Sequence, residues 1–206
     1  MKIKQLDEIL ANKIAAGEVI ERPANVVKEL VENSIDASSS KIDIIIEEGG
    51  MNLIEIVDDG LGMDQEDAKL CFSRHATSKI TNDQDLFCIQ TLGFRGEAIP
   101  SIASISHFEL KTSDGQSGST VVYEFGKFIE QKQSDLKRGT KITVTKLFQN
   151  VPARLKYVKS VNAEFAHIQN YVERLSLSHP DIAFTLIHND KTTYKTNGNG
   201  NLLEVI

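Results

Sequence analysis

Glu29 and Asn33 stand one helical turn apart within VVKELVENSIDA (26–37), and Asp36 follows at nearly the same angle. At 100° per residue the three fall within about 60° of one another, opposite Val27, Leu30 and Val31. Such a stripe has two readings. It is a solvated polar face, or it is a place where a metal-bridged polyphosphate sits. The asparagine favours the second, because a neutral amide oxygen can join the oxygen shell of Mg²⁺ without adding negative charge beside phosphates. Glu29, one turn back, could then orient and deprotonate a water that attacks the terminal phosphate.

Two further segments give that pair something to act on. In DDGLGM (58–63), Asp58 closes a run of Ile54, Ile56 and Val57. A carboxylate only accepts hydrogen bonds, so it suits the exocyclic amine of adenine and repels the carbonyl of guanine. Gly60 and Gly62 would let the backbone lie against a flat base, although Asp-Asp-Gly also occurs as a bare turn. In TLGFRGEAIPS (91–101), Gly93 and Gly96 free backbone amides near a helix start, where phosphate is favoured. Arg95, with Ser78 and Lys79 upstream, adds donors. Neither the G-x-x-x-x-G-K-[ST] pattern nor G-x-G-x-x-G after a strand is present. His75 reads as structural.

The elements that must carry these residues are legible from spacing. A helix is expected from Pro23, suited to the first helical position, to about Ala37. Strands at 41–47 and 52–58 form a hairpin around Gly49-Gly50. Asp64 is a candidate N-cap for a helix to about Arg74, and residues 76–96 read as a long irregular connection. A short helix follows Gly96, then strands at 107–112, 119–125 and 140–147, a helix at about 163–177, and a hairpin at 182–188 and 191–196. Helices interleave with paired strands, which favours an α+β architecture: a mixed, largely antiparallel sheet with helices on one face.

Composition bounds the function. With 40% hydrophobic and 25% charged residues, the 206-residue chain can bury a core. Its longest aliphatic run, Ile44-Ile45-Ile46, is too short to span a bilayer, and the N-terminal MKIKQLDEIL is not a signal peptide. Cys71 and Cys88 lack metal-type spacing and read as reduced thiols of a cytoplasmic protein. A net charge of −6 argues against tight nucleic-acid binding by this chain alone. Residues 136–163 nevertheless hold seven basic side chains (Lys137, Arg138, Lys141, Lys146, Arg154, Lys156 and Lys159) and no acid. These are either solvated faces or part of a patch facing DNA or phosphate.

Taken together, IAAGEVIERPANVVKELVENSIDA (14–37), DDGLGM (58–63), RHATSKI (74–80), TLGFRGEAIPSIAS (91–104), RGTKI (138–142) and NVPARLKY (150–157) resemble the MutL family of DNA mismatch-repair proteins. That family lies within the gyrase, heat-shock-chaperone, histidine-kinase and MutL (GHKL) ATPase superfamily. HATSK, GFRGEA and the PAR segment separate MutL-like chains from type II topoisomerases and chaperones. The resemblance implies a two-layer α/β sandwich of the Bergerat ATP-binding type over residues 1–200, with 201–206 beginning a following segment. It implies ATP and Mg²⁺ as ligands, Glu29 as general base, Asn33 as magnesium ligand, Asp58 as adenine-binding carboxylate and Thr140 beside the base. Gly60, Gly62 and Met63 complete the nucleotide site. Thr77, Ser78, Lys79, Gly93, Phe94, Arg95, Gly96, Glu97 and Ala98 match the lid around the phosphates.

The resemblance further implies ATP-driven ordering of residues 1–20 and the lid, then homodimerisation of the longer protein. Expected partners are a MutS-like mismatch-recognition protein, a downstream nuclease and helicase, and DNA, weakly for this chain, with no membrane. Asp59 stands where asparagine is more usual, and Val151 where the family has NTPAR. Neither removes a named contact, though an inward-pointing Asp59 would weaken phosphate approach. In the family, a lysine from the next domain reaches the terminal phosphate. Without it the chain is expected to bind nucleotide poorly and to hydrolyse it about tenfold or more slowly. A different output, a nucleotide-gated interaction module in which hydrolysis is incidental, stays open.

Overall fold

The computed structural model describes residues 16, 20–74, 76–77 and 96–205. The first long element is helix α1, Pro23–Asp36. Pro23 opens it at the position where a missing N–H costs nothing. Val26, Val27, Leu30 and Val31 are fully buried, while Glu29, Asn33 and Asp36 are half-buried on the other side.

Strands β1 (Lys41–Glu47) and β2 (Leu53–Asp58) pair antiparallel across a short 3₁₀ turn, Glu48–Gly50. Their alternation decides which face meets the helices. Ile42, Ile44, Ile46, Ile54 and Ile56 are buried, whereas Asp43, Ile45, Glu55 and Val57 on the opposite face are half-exposed. β3 (His107–Ser113), β4 (Gly118–Glu124), β5 (Lys127–Gln133), β6 (Gly139–Thr145), β7 (Ala183–His188) and β8 (Lys191–Lys195) complete the sheet. The order is β5-β4-β3-β6-β2-β1-β7-β8, and only β1 and β7 run parallel. The expected mixed, largely antiparallel sheet is therefore what forms.

Among the described residues, four more α-helices follow α1: α2 (Gln65–Leu70), α3 (Ala98–Ser104), the single turn α4 (Pro152–Leu155) and α5 (Val161–Ser178). α1 and α5 pack together beneath β2 and β7, and α2 and α3 cover β3 and β4. Asp64 caps α2 by accepting from the backbone N–H groups of Glu66 and Asp67. That helix stops at Leu70 rather than running to Arg74. Turn-type bonds, from Phe72 N to Lys69 O and Ser73 N to Leu70 O, swing Phe72 inward to stack on Tyr123 with ring centroids 4.2 Å apart.

Strand β5 is the element that hydrophobic patterning does not anticipate. Every residue of it is exposed; it lies at the sheet edge, paired with β4, and Gln131 donates to the Gln65 carbonyl of α2 at 3.0 Å. Of the seven basic residues in 136–163, Lys141 pairs with Glu55 at 2.9 Å and Lys146 with Glu124 at 2.8 Å, while Lys156 and Lys159 are exposed around α4. No helix among the described residues is long and apolar enough to cross a membrane. Cys71 is a free thiol whose pKa is pushed up to about 12, first by burial and then by the charge of Asp67. Cys88 and His75 lie outside the described residues.

Candidate functional site

Asp58 ends β2, and the sheet register puts three polar side chains in one row there. Asp58 pairs with Thr140 across β2 and β6, and Thr140 pairs with Thr112 across β6 and β3. The two threonine hydroxyls are 3.1 Å apart, and Thr112 Oγ1 accepts the N–H of Met63 at 2.9 Å. A carboxylate, two hydroxyls and the loop after β2 thus converge at one end of three adjacent strands.

Two donors stand close against the Asp58 carboxylate. Its Oδ1 accepts the N–H of Gly60 at 3.0 Å, and its Oδ2 accepts the hydroxyl of Ser34 at 2.8 Å. Asp58 is only 8% exposed, and that burial raises its pKa above the usual carboxylate value. Hydrogen bonds from Ser34, Gly60, Ser39 and the Thr140 backbone oppose the rise without cancelling it.

Ser34 is the residue that spacing alone does not single out. Its single hydroxyl proton is shared with the Leu30 carbonyl at the longer distance of 3.2 Å, and its own carbonyl accepts the Ser39 hydroxyl at 2.6 Å. It therefore ties the last turn of α1, which carries Asn33, to the end of β2. The available signal was a hydroxyl one turn after Leu30, at a buried position where an apolar helix face would carry Ala or Val. Thr112 was missed for a different reason. Its neighbours in space, residues 63 and 140, are distant in the chain.

The glycines answer a demand of the protein's own packing. A Cβ on Gly60 would meet Ser39 Oγ at 2.6 Å and the Ala37 carbonyl at 2.8 Å. Gly62 has φ +69°, and a Cβ there would lie 1.9 Å from the Ser113 carbonyl oxygen. These contacts seat the 58–63 loop between the end of α1 and the end of β3, so close approach to a base is not needed to explain glycine. Asp59 turns away from the site. It accepts from Ser40 N at 2.8 Å and Lys41 N at 2.9 Å, capping the start of β1. Burial raises its pKa, but the bonds from Ser40 and Lys41 prevail and the net shift is downward.

Glu29 and Asn33 project from α1 on the face that continues past Ser34. Lys28 Nζ lies 3.8 Å from Glu29 Oε1. Of the expected lid residues, Thr77, Gly96, Glu97 and Ala98 are described. Gly96, at φ +61°, abuts the Ala76 carbonyl so closely that a Cβ would come within 2.3 Å. The two borders of the segment thus meet, and Ala98 starts α3. Ser78, Lys79, Gly93, Phe94 and Arg95 lie outside the described residues.

The residues present fit a magnesium nucleotide. A buried carboxylate acceptor suits an adenine amine, Thr140 stands beside it in register, and a tether through Ser34 leads to the helix offering an amide oxygen and a carboxylate. When bound, the metal would neutralise phosphate charge, with Asn33 as its protein oxygen.

Comparison with known proteins agrees. A family model described as histidine kinase-, DNA gyrase B-, and HSP90-like ATPase matches residues 20–156. The DNA mismatch repair protein MutL of Listeria monocytogenes serotype 4b is 57% identical over 99% of this chain and 34% of its own length. That of Bacillus pumilus is 54% identical over 100% of this chain and 32% of its own length. The chain thus spans about a third of the length of the curated relatives it matches. Among solved structures, the Aquifex aeolicus MutL ATPase domain complexed with ADP superposes with a TM-score of 0.71 at 28% identity, over 91% of this chain and 68% of that one. The N-terminal domain of a DNA repair protein gives 0.80 at 27% identity, over 95% and 58%. The chain therefore belongs to the histidine kinase-, DNA gyrase B- and HSP90-like ATPase family, in its MutL branch.

Proposed function

We propose that this chain binds magnesium-ATP and hydrolyses it to ADP and phosphate as the ATPase domain of a mismatch-repair protein. The observation that carries the reading is the row Asp58–Thr140–Thr112, tied through Ser34 to the helix bearing Asn33 and Glu29. Asp58 accepts the adenine amine, and Thr140 stands against the same base edge. Glu29 accepts the proton of the attacking water. Asn33 contributes a neutral oxygen toward the metal-bridged phosphates. Thr77 and residues 96–98 border the phosphates. In the longer protein, nucleotide-driven ordering of that lid and of the N-terminal residues promotes homodimerisation. The dimer then links a MutS-like mismatch sensor to nuclease, helicase and DNA.

The test is titration with a non-hydrolysable ATP analogue plus magnesium, in competition with its GTP counterpart. The native chain should prefer the adenine nucleotide, and Asp58→Ala should lose that preference together with roughly tenfold or more in affinity, the loss expected for a charge-assisted hydrogen bond. Undiminished preference in Asp58→Ala would place the purine elsewhere. Turnover by this chain matching that of a chain three times as long would refute the expectation that a downstream lysine is needed.

A further inference from the structure

α1 and α5 meet at a polar contact 139 residues apart in sequence. Tyr171, on α5, donates its phenol proton to Glu32 Oε1 at 2.7 Å. Glu32 is buried although it is a carboxylate, and it lies on the helix that carries Glu29. Lys28 Nζ stands 3.8 Å from Glu29 Oε1 and 3.9 Å from the same Glu32 oxygen that Tyr171 occupies. One ammonium is thus shared by two carboxylates, and a phenol holds one of the two. The phenol keeps its proton firmly. Burial raises the Tyr171 pKa most, and the bond to Glu32 and the charges of Glu32 and Glu29 add to it. Tyr171 therefore acts only as a donor toward Glu32.

The consequence is a competition for Glu32 Oε1. With the phenol in place, Lys28 stays near-equidistant from the two acids and steadies the Glu29 carboxylate. Without it, a desolvated carboxylate oxygen lacks its short bond, and an unmet buried acceptor is costly. Lys28 is the other donor reaching Glu32 among the described residues, so it would move toward Glu32 and leave Glu29. We infer that Tyr171 and Glu32 are positioning residues for Glu29, acting through Lys28 to hold the general base where it meets the attacking water. The inference rests on the reading of Glu29 as that base.

The experiment uses the full-length protein with Tyr171→Phe, Lys28→Gln, their double variant, and Glu29→Gln as reference. Tyr171→Phe is expected to lower kcat roughly tenfold, the scale of a slightly misplaced catalytic group, with KM and ADP affinity unchanged. Lys28→Gln should do the same, and the double variant should fall no further, because both act on one path. The Glu29 side-chain carboxyl carbon resonance should move in each single variant. A fall in melting temperature with kcat and that resonance unmoved would reduce Tyr171 to a link between helices and overturn the inference, as would losses that multiply in the double variant. Retained turnover in Glu29→Gln would instead remove the reading of Glu29 itself.

Discussion

At the purine end of the proposed site, Asp58, Thr140 and Thr112 stand in register on three neighbouring strands and are nearly buried. At the phosphate end, Glu29 and Asn33 project half-buried from a single helix. The first group is part of the packing that makes the sheet. The second rides on a helix whose stability comes from its opposite face. On the proposed reading, recognition of the base is coupled to folding, whereas the catalytic end can be altered with little cost to the fold. Ser34 is the joint between the two.

The largest expected effect breaks the phosphate end alone. Glu29→Gln should lower turnover by at least about 10²-fold, the usual contribution of a positioned general base, and leave ADP affinity and the unfolding midpoint unchanged. Calorimetric titration and a urea melt check it. Loss of affinity in step with turnover would show that the two ends are not separable.

At the purine end the reverse is expected. Gly62→Ala puts a methyl against the Ser113 carbonyl at a backbone conformation that alanine adopts with strain. It should cost about 1–3 kcal/mol of stability and weaken nucleotide binding as the 58–63 loop shifts. A smaller and more local change comes from Ser34→Ala, which removes one of the donors aiming Asp58. Roughly tenfold weaker ADP binding is expected, with Ser34→Thr restoring part of it. Native affinity in Ser34→Ala would mean that the remaining donors, Gly60 N–H among them, suffice to orient the carboxylate.

How much of this was legible follows the same division. The helix with Glu29 and Asn33 could be read because Val26, Val27, Leu30 and Val31 repeat at helical spacing, and β1 and β2 because Ile42, Ile44, Ile46, Ile54 and Ile56 alternate. Strand β5 could not, since an edge strand with neither side packed shows no alternation. The Asp58–Thr140–Thr112 row is a matter of register between segments over 25 residues apart, which no single strand's pattern encodes. Thr140 came from resemblance rather than from spacing, and Thr112 from neither. Tyr171 and Glu32 were invisible for the same reason.

The smallest effect is a pH dependence of opposite sign for stability and binding. Asp58 has a folded pKa above its ordinary value of 3.8 because it is buried. Between 3.8 and the raised value the folded chain holds this proton more readily than the unfolded chain does. Stability from Asp58 is therefore present below 3.8 and is lost as pH rises through the folded value. On the proposed reading the ionised carboxylate is the stronger acceptor for the adenine amine, so affinity should rise over that same interval. Asp58→Asn carries neither titration. The difference in melting temperature between native and variant chains should shrink in the native chain's disfavour as pH increases, while the difference in nucleotide affinity grows in its favour. Thermal melts and titrations from pH 4 to 7, about three pH units, read both. Parallel slopes would mean that the charge on Asp58 is not what the base reads, and the purine end would then rest on its hydroxyls alone.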